Sequence, residues 1–442
     1  MANPRSESTA QIQHDLQRNQ GRGKFYKNDI LRLYPQAKAQ DFYPNGMILS
    51  DATIRAIENE FAMQALQETE DARYSKKYLQ DELKLDIERG GILRIKDASN
   101  EFVLYAVYKT IQSDNEEKQI KNKAIKIGEG SYGKVKLIQN LKTGEFFAMK
   151  ILFPETESEE VKKNLERQFK VEAKCVAEMQ RGHGHVLYKK RAGDEQGPKK
   201  LCIVEDIVPG KTLFDVLVDE DEVYDLTAAA RFTILLQAFR AIKEMHEHEW
   251  LHRDIKLDNF MCYIDPASKK ITVSVVDFGS AGNLQTANDD GIIADSEEWG
   301  ISRYEAPETV SYQYSKQSDI YSLGCVVGDV FGVQQDEDLG DLNDEAAQED
   351  LSGEEIRALK DLASNMLKEE RIKRCSLDQA IKALQEIRDQ YVKRKEYESD
   401  QKKRKAENVQ PDLSQVKRQK QKDEKEKNTS IAPASKTSPK RP

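Results

Sequence analysis

Apolar and polar positions divide this chain into stretches of different period. The opening residues, MANPRSESTAQIQHD and beyond, are polar and unpatterned. Such a composition buries too little apolar surface to offset chain entropy, so residues 1–24 are expected to be disordered. Between about 50 and 86, Ile54, Ile57, Phe61 and Ala65 recur at helical spacing behind Ser50 and Asp51, which suit an N-cap. GGILRIKDASNEFVLYAVYKT then alternates and is rich in β-branched and aromatic residues, with Asp97 to Asn100 as turn formers, which predicts a hairpin. Residues 25–118 therefore read as a small α+β module of unknown role, or as an extension packed on the domain that follows.

From Ala124 the pattern becomes short strands broken by glycines, and after about 225 it becomes long amphipathic segments. A strand-rich half thus precedes a helix-rich half across residues 119–392. The last patterned helix begins at Ser376, whose hydroxyl forms a capping box with Gln379, and it continues through Leu377, Ile381, Leu384, Ile387 and Tyr391. Beyond about 395 the apolar period stops, and residues 393–442 are expected to form a disordered basic tail.

Charge sharpens that division. Residues 401–442 carry 13 Lys and Arg against 5 Asp and Glu, a net +8, which leaves 56 against 73, or −17, for residues 1–400. KKRK at 402–405 and VKRQK at 416–420 resemble a bipartite nuclear import signal that an import receptor would read, with an ordinary solvated tail as the equal alternative. Nucleic-acid contact is the weaker reading, because no aromatic residue lies beyond Tyr397 to stack on bases. No apolar run approaches the ~18 residues of a membrane span, and the N-terminus has no apolar core of a secretory signal. Five scattered cysteines, with no C-x-x-C pair, suggest neither a disulfide framework nor a zinc site. A cytoplasmic or nuclear location is the expectation.

IGEGSYGKVKL sets Gly128, Gly130 and Gly133 in a G-x-G-x-x-G frame, with Val135 two residues on. Glycines there let backbone approach phosphate oxygens, while Ile127 and Val135 offer an apolar roof to an adenine ring. The frame alone fits an ordinary glycine hairpin equally well. A dinucleotide fingerprint would be followed by a helix, whereas here another strand, EFFAMKIL, follows. In that strand Ala148 and Lys150 share one face, and Lys150, flanked by Phe147, Met149 and Ile151, needs a buried counter-charge. The helix expected over about 160–180 offers Glu172, beside Val171, Val176 and Met179, with Glu166 as the second candidate.

LHRDIKLDNFM supplies Asp254, Lys256 and Asn259, and VVDFGS supplies Asp277 and Gly279. Phosphoryl transfer to a hydroxyl needs a carboxylate to take the proton, cations for the γ-phosphate and oxygen ligands for a metal; Asp254, Lys256, and the pair Asn259 and Asp277 suit those tasks. Oxygen-only ligands favour Mg2+ over zinc. Gly279 is expected to give the chain freedom to turn. Taken together and in this order, these motifs resemble the eukaryotic-like Ser/Thr protein kinase family across residues 121–392.

The resemblance implies an α+β, two-lobed protein-kinase-like fold with a β-rich N-lobe, a helical C-lobe and ATP between them. It implies catalytic roles for Asp254, Lys256, Lys150 and Glu172, and Mg2+ ligation by Asn259 and Asp277. ATP contacts would come from Ile127, Gly128, Gly130, Gly133, Val135, Ala148, Lys150 and Met261. In IVEDIV, Val204 would be the gatekeeper, and the backbones of Glu205 and Ile207 would meet the adenine edge. Val176, Phe278 and His252 would stack as a regulatory column. The implied partner is a protein substrate. The resemblance also pairs Glu308 of EAPE with Arg374, and has Asp319 of SDIYSLG hold the catalytic-loop backbone.

Three features depart from the family pattern. The hairpin between Asn259 and Asp277 is long, the segment QQDEDLGDLNDEAAQED is acidic and thin, and Ile301 stands where Ser/Thr members carry a threonine. Ser302 would have to replace that hydroxyl by a shift, and the preference for Ser/Thr substrates rests mainly on Lys256. Two alternatives remain: a pseudokinase scaffold, against which the retained Lys150, Asp254, Asn259 and Asp277 count, and a small-molecule kinase, against which EAPE and Arg374 count. A bacterial or viral kinase delivered into a host cell also stays open.

Overall fold

The computed structural model describes residues 24–26, 28–30, 92–96, 102–107, 126–130, 133–152, 159–189, 199–218, 226–294, 302–333 and 350–409. The expected helix over 50–86, the disordered N-terminus and the acidic segment after Val333 lie outside these residues.

The alternating stretches become a curled antiparallel sheet. Its strands are β1 (Ile92–Lys96), β2 (Phe102–Val107), β3 (Lys126–Gly130), β4 (Gly133–Asn140), β5 (Phe146–Leu152), β6 (Gly182–Lys189) and β7 (Lys199–Glu205). Their order is β1-β2-β4-β5-β7-β6, with β3 also paired to β4. The hairpin β1–β2 extends the sheet of the following domain through β2, where Tyr105 pairs with Asn140 and Val107 with Ile138. Ile95, Tyr105, Phe147, Met149, Cys202 and Val204 form one buried cluster on the face that the hairpin covers. Phe25 is buried as well, and its carbonyl accepts from the Phe146 amide at 2.8 Å.

Helix α1 (Glu159–Glu178) joins β5 to β6. Phe169, Ala173, Val176 and Met179, spaced by four, three and three, give it a buried stripe.

The second half contains α2 (Leu213–Val218), α3 (Ala228–Glu247), α4 (Lys316–Phe331), α5 (Gly353–Met366) and α6 (Leu377–Val409). Thr227 caps α3 by accepting from the Ala230 amide. Gly332, at φ 60°, ends α4 in the left-handed conformation that glycine adopts without steric cost. Ser352 and Glu355 cap α5 reciprocally, and Ser376 and Gln379 do the same for α6, with bonds of 2.8 and 3.2 Å. Short strands fill the gaps between helices: β8 (Lys211–Thr212), β9 (Trp250–Leu251), β10 (Phe260–Ile264), β11 (Ile271–Val275), β12 (Gly282–Asn283), β13 (Ile293–Ala294) and β14 (Gln313–Tyr314). The long hairpin is β10–β11, and its turn is closed by the Asp265 carboxylate accepting from the Ala267 and Ser268 amides.

Residues 1–385 form one compact unit and residues 386–442 a second. In the second, α6 does not stop near 392. It runs to Val409, so residues 393–409, KKRK included, are helical rather than part of an unstructured tail. The apolar period does end as the sequence indicates. What carries the helix further is good intrinsic propensity and local pairing, such as Arg394 to Glu398 at 2.8 Å, one turn apart.

Candidate active site

Four segments distant in sequence meet where the sheet faces the helical half. Every residue of β5 is buried, so the charge of Lys150 must be compensated within the protein. Its Nζ lies 2.5 Å from Glu172 Oε1 on α1 and 2.7 Å from Asp277 Oδ1. Among the described residues these are the ion pairs of Lys150, and Glu166 is not among them. Burial alone would lower the Lys150 pKa, but the charges of Glu172 and Asp277 outweigh it and hold it above the ordinary value of 10.5. Asp277 responds in the opposite sense: burial would raise its pKa, and Lys150 with the Gly279 amide brings it below the carboxylate range.

The backbone at this turn departs from expectation. The left-handed residue is Asp277 itself, at φ 64°, and not Gly279. At 279 the space is tight: a Cβ there would sit 3.2 Å from Asp277 Oδ1, so that carboxylate would have to shift by a few tenths of an ångström. A non-glycine residue at positive φ persists only where its surroundings over-determine it.

The loop after β9 carries the second group. Lys256 Nζ donates to both oxygens of Asp254, at 3.0 and 2.8 Å. Asn259 Nδ2 donates to the Asp254 carbonyl at 2.7 Å and to Oδ2 at 2.9 Å. Asp319, buried at the first turn of α4, accepts from the amides of His252 and Arg253 and from His246 Nε2, at 2.9, 3.0 and 2.8 Å. Three donors on one buried carboxylate pin the loop, including Arg253 at φ 65°. His252 and Phe278 are buried with ring centroids 6.0 Å apart, and Val176 is buried too.

The donor chemistry fits a hard cation. Among the described residues, Asn259 keeps its amide oxygen, and Asp277 its Oδ2, without a hydrogen bond, while the other polar atoms of both side chains are engaged. Oxygen donors of this kind suit Mg2+.

The nucleotide side is built by register. Val135 lies opposite both Gly128 and Lys150, and Gly130 opposite Gly133 closes the glycine hairpin, whose β3 is bulged between Lys126 and Gly128. Ile127 lies within β3, and Met261 in β10 lies opposite Thr212 and Ser274. In β7, Glu205 pairs with Ala148 and Ile203 with Lys150, whereas Val204 pairs with Met149. Directly paired residues share a face. Val204 therefore turns away from the cleft into the buried cluster, and the expected gatekeeper position is taken by Glu205, one residue on. Burial, reinforced by Glu172, pushes the Glu205 carboxyl up to about 7, against the pull of Lys150 and Arg181. Ile207 follows β7 in irregular backbone, and neither its amide nor its carbonyl has a backbone partner among the described residues.

Below the cleft, Arg374 clamps Glu308 through two bonds of 2.6 and 2.7 Å. Arg303 and the Tyr304 hydroxyl both bind the buried Asp329, at 2.9 and 2.7 Å. This anchor was not evident in the sequence, where Arg303 and Asp329 stand 26 positions apart with no motif to join them. Ser302 does not supply the missing threonine contact. Its Oγ faces the Tyr304 amide at 3.4 Å rather than Asp254 or Lys256. Arg253 donates to the carbonyls of Ser280 and Ala281 and lies 4.9 Å over the Tyr314 ring. Among the described residues, no ion pair joins it to Asp289 or Asp290.

The chain is similar in sequence to known proteins. The chain matches the protein kinase domain family over residues 122–384. It is 29% identical over 217 residues to calcium-dependent protein kinase 5 of Plasmodium berghei, covering 49% of this chain and 35% of that protein. It is 30% identical over 210 residues to the serine/threonine-protein kinase Nek1 of Mus musculus, covering 46% and 15%. Against the smooth-muscle myosin light chain kinase of Gallus gallus, identity is 23% over 290 residues, covering 62% and 14%. The chain thus spans well under half the length of these curated relatives. With a two-lobed fold, a matching family over more than half its length and the Lys150, Asp254 and Asp277 groups drawn together, this chain belongs to the protein kinase family.

Proposed function

We propose that this chain is an active protein kinase that transfers the γ-phosphate of ATP to protein hydroxyls, with serine and threonine preferred. The observation that carries the reading is Lys150 held at once by Glu172 and Asp277. That arrangement spans both lobes and has no structural purpose that an apolar pair would not serve better.

In this reading Lys150 positions the nucleotide phosphates, Glu172 fixes the rotamer of Lys150, and the Gly128–Gly133 hairpin covers the phosphates. Ile127, Val135, Ala148 and Met261 enclose the adenine, whose polar edge meets the backbone just beyond Glu205, Ile207 included. Asn259 and Asp277 would hold Mg2+, which when bound neutralises charge on the phosphates. Asp254 accepts the hydrogen bond of the substrate hydroxyl and then its proton. Lys256, 2.8 Å from Asp254 Oδ2, faces that carboxylate and offers a cation to the group being transferred. Burial would lower the Lys256 pKa, but the bonds to Asp254 raise it, so the ammonium persists at neutral pH.

The acidic body favours basic protein substrates by long-range attraction. The two basic clusters of residues 402–420 would serve an import receptor. Incubation with γ-labelled ATP and generic acceptors, followed by mapping of the phosphorylated residue types, tests the activity. Absence of transfer from pure protein with intact mass would reject it.

A further inference from the structure

We infer that Arg181 is a positioning residue that holds Phe278 and, through it, the Asp277 turn in the arrangement that can receive a nucleotide and its metal. The inference rests on the kinase reading above, and no motif marks the residue.

Arg181 lies between α1 and β6 and is 4% exposed. Its amide donates to the Val176 carbonyl at 2.9 Å, which ties it to the helix bearing Glu172. Its carbonyl accepts from the Asp206 amide at 3.0 Å, immediately beyond β7. Its side chain reaches forward: Nη1 donates to the Val275 carbonyl at 2.5 Å, and the guanidinium lies 5.7 Å from the Phe278 ring centroid. One residue thus touches the helix of Glu172, the connection after β7, the strand that delivers Asp277, and the ring that follows Asp277.

The physical argument concerns what a buried cation needs. A guanidinium is costly to bury unless its donors are used and its faces are covered. Here the Val275 carbonyl takes one donor and the Phe278 ring covers one face, which a planar, forked guanidinium does better than an ammonium, while Nε is buried without a hydrogen bond among the described residues. The cost of burial therefore falls on any conformation in which Phe278 leaves. Asp277 sits at φ 64°, a strained geometry that must be enforced from outside. Arg181 supplies that enforcement through the Val275 carbonyl and the Phe278 ring. The two backbone bonds of Arg181 survive any substitution, so side-chain variants isolate the contacts to Val275 and Phe278.

The experiment measures binding of a fluorescent ADP analogue to the full chain in EDTA and then in excess Mg2+, with kcat and ATP KM in parallel. For Arg181→Met, the affinity in EDTA is expected to stay within about twofold of the parent. The gain on adding Mg2+ and the kcat should each fall roughly tenfold, the scale set by one hydrogen bond and one cation–π contact, with KM little changed. Arg181→Lys should fall between the two. In a Phe278→Leu background, Arg181→Met should cost little more, because the ring it acts through is already gone. A metal-dependent gain and kcat within twofold of the parent for Arg181→Met would overturn the inference, as would full additivity with Phe278→Leu. If Arg181→Met loses its affinity in EDTA, which marks a folding defect, Arg181→Lys decides by the same readouts. The binding arms do not require turnover, so a failure of the kinase reading would leave them interpretable.

Discussion

Lys150 and Asp277 are 127 positions apart and 2.7 Å from each other. The same ammonium binds Glu172, so three charges from a strand, a helix and a loop meet at one point. Replacing Lys150 by Met leaves two carboxylates facing each other without a cation. Transfer should fall on the order of 100-fold or more, as when a preorganised charge is removed from a transition state. Glu172→Gln keeps a hydrogen-bond acceptor but loses the charge, and a fall of roughly tenfold is expected. Initial rates on a generic acceptor, with circular dichroism to verify folding, check both. Near-normal turnover of Lys150→Met would refute the assignment.

Glu205 should make stability pH-dependent in a window that ordinary carboxylates do not occupy. Its carboxyl is pushed from 4.5 up to about 7 by burial, so the folded state holds the proton more tightly than the unfolded chain does. That contribution is present in full below 4.5 and is lost as pH rises through about 7. Glu205→Gln cannot ionise. Its melting temperature should match the parent near pH 5 and exceed it by several degrees near pH 8. Parallel curves across that range would refute the placement of Glu205 in the cleft.

The clamp between Arg374 and Glu308 should behave in the reverse sense. Burial would raise the Glu308 pKa, but the Arg374 bonds outweigh it and hold the carboxyl below its ordinary 4.5. Its stabilisation is complete above 4.5 and is lost as pH falls below that value. Arg374→Met strands a carboxylate that is largely buried, and should cost about 3 kcal/mol at pH 7. Denaturant unfolding at pH 7 and at pH 4 measures both the loss and its decline in acid.

Arg253 bears on regulation. In the family this chain resembles, the arginine before the catalytic aspartate often binds a phosphate on the following loop. That phosphate is unnecessary here if the guanidinium is already held by the Ser280 and Ala281 carbonyls and the Tyr314 ring. Phosphatase treatment, verified by intact mass, should leave the initial rate within about twofold. A fall of about 100-fold, the scale of such switches, would show that the carbonyl contacts do not substitute for phosphate.

The basic clusters can be tested by alanine substitution at Lys402, Lys403, Arg404 and Lys405 together with Lys417, Arg418 and Lys420. The nuclear fraction of a fluorescent fusion should drop while kinase activity is kept. An unchanged distribution would remove the import reading.

Much of this protein is legible in its sequence. The glycine hairpin, the strand carrying Lys150, the Asp254 loop and the Asp277 turn each announce themselves locally, because phosphoryl transfer demands particular residue types at short spacing. The sequence by itself also determined Glu172 as the favoured partner of Lys150, since the buried stripe of α1 follows from helical period alone. It determined the cap of α6, because a Ser and a Gln three apart make that box wherever a helix begins. Other points were settled only by tertiary structure. Period-two alternation cannot say which face of β7 meets the cleft until its register against β5 is known, and a slip of one residue exchanges Val204 for Glu205. The Arg303–Asp329 anchor and the reach of Arg181 to Phe278 join residues with no common motif, and depend on how separate elements pack. The placement of positive φ at Asp277 instead of Gly279 depends on packing too: the carboxylate is held by the Gly279 amide close by and by Lys150, 127 positions away.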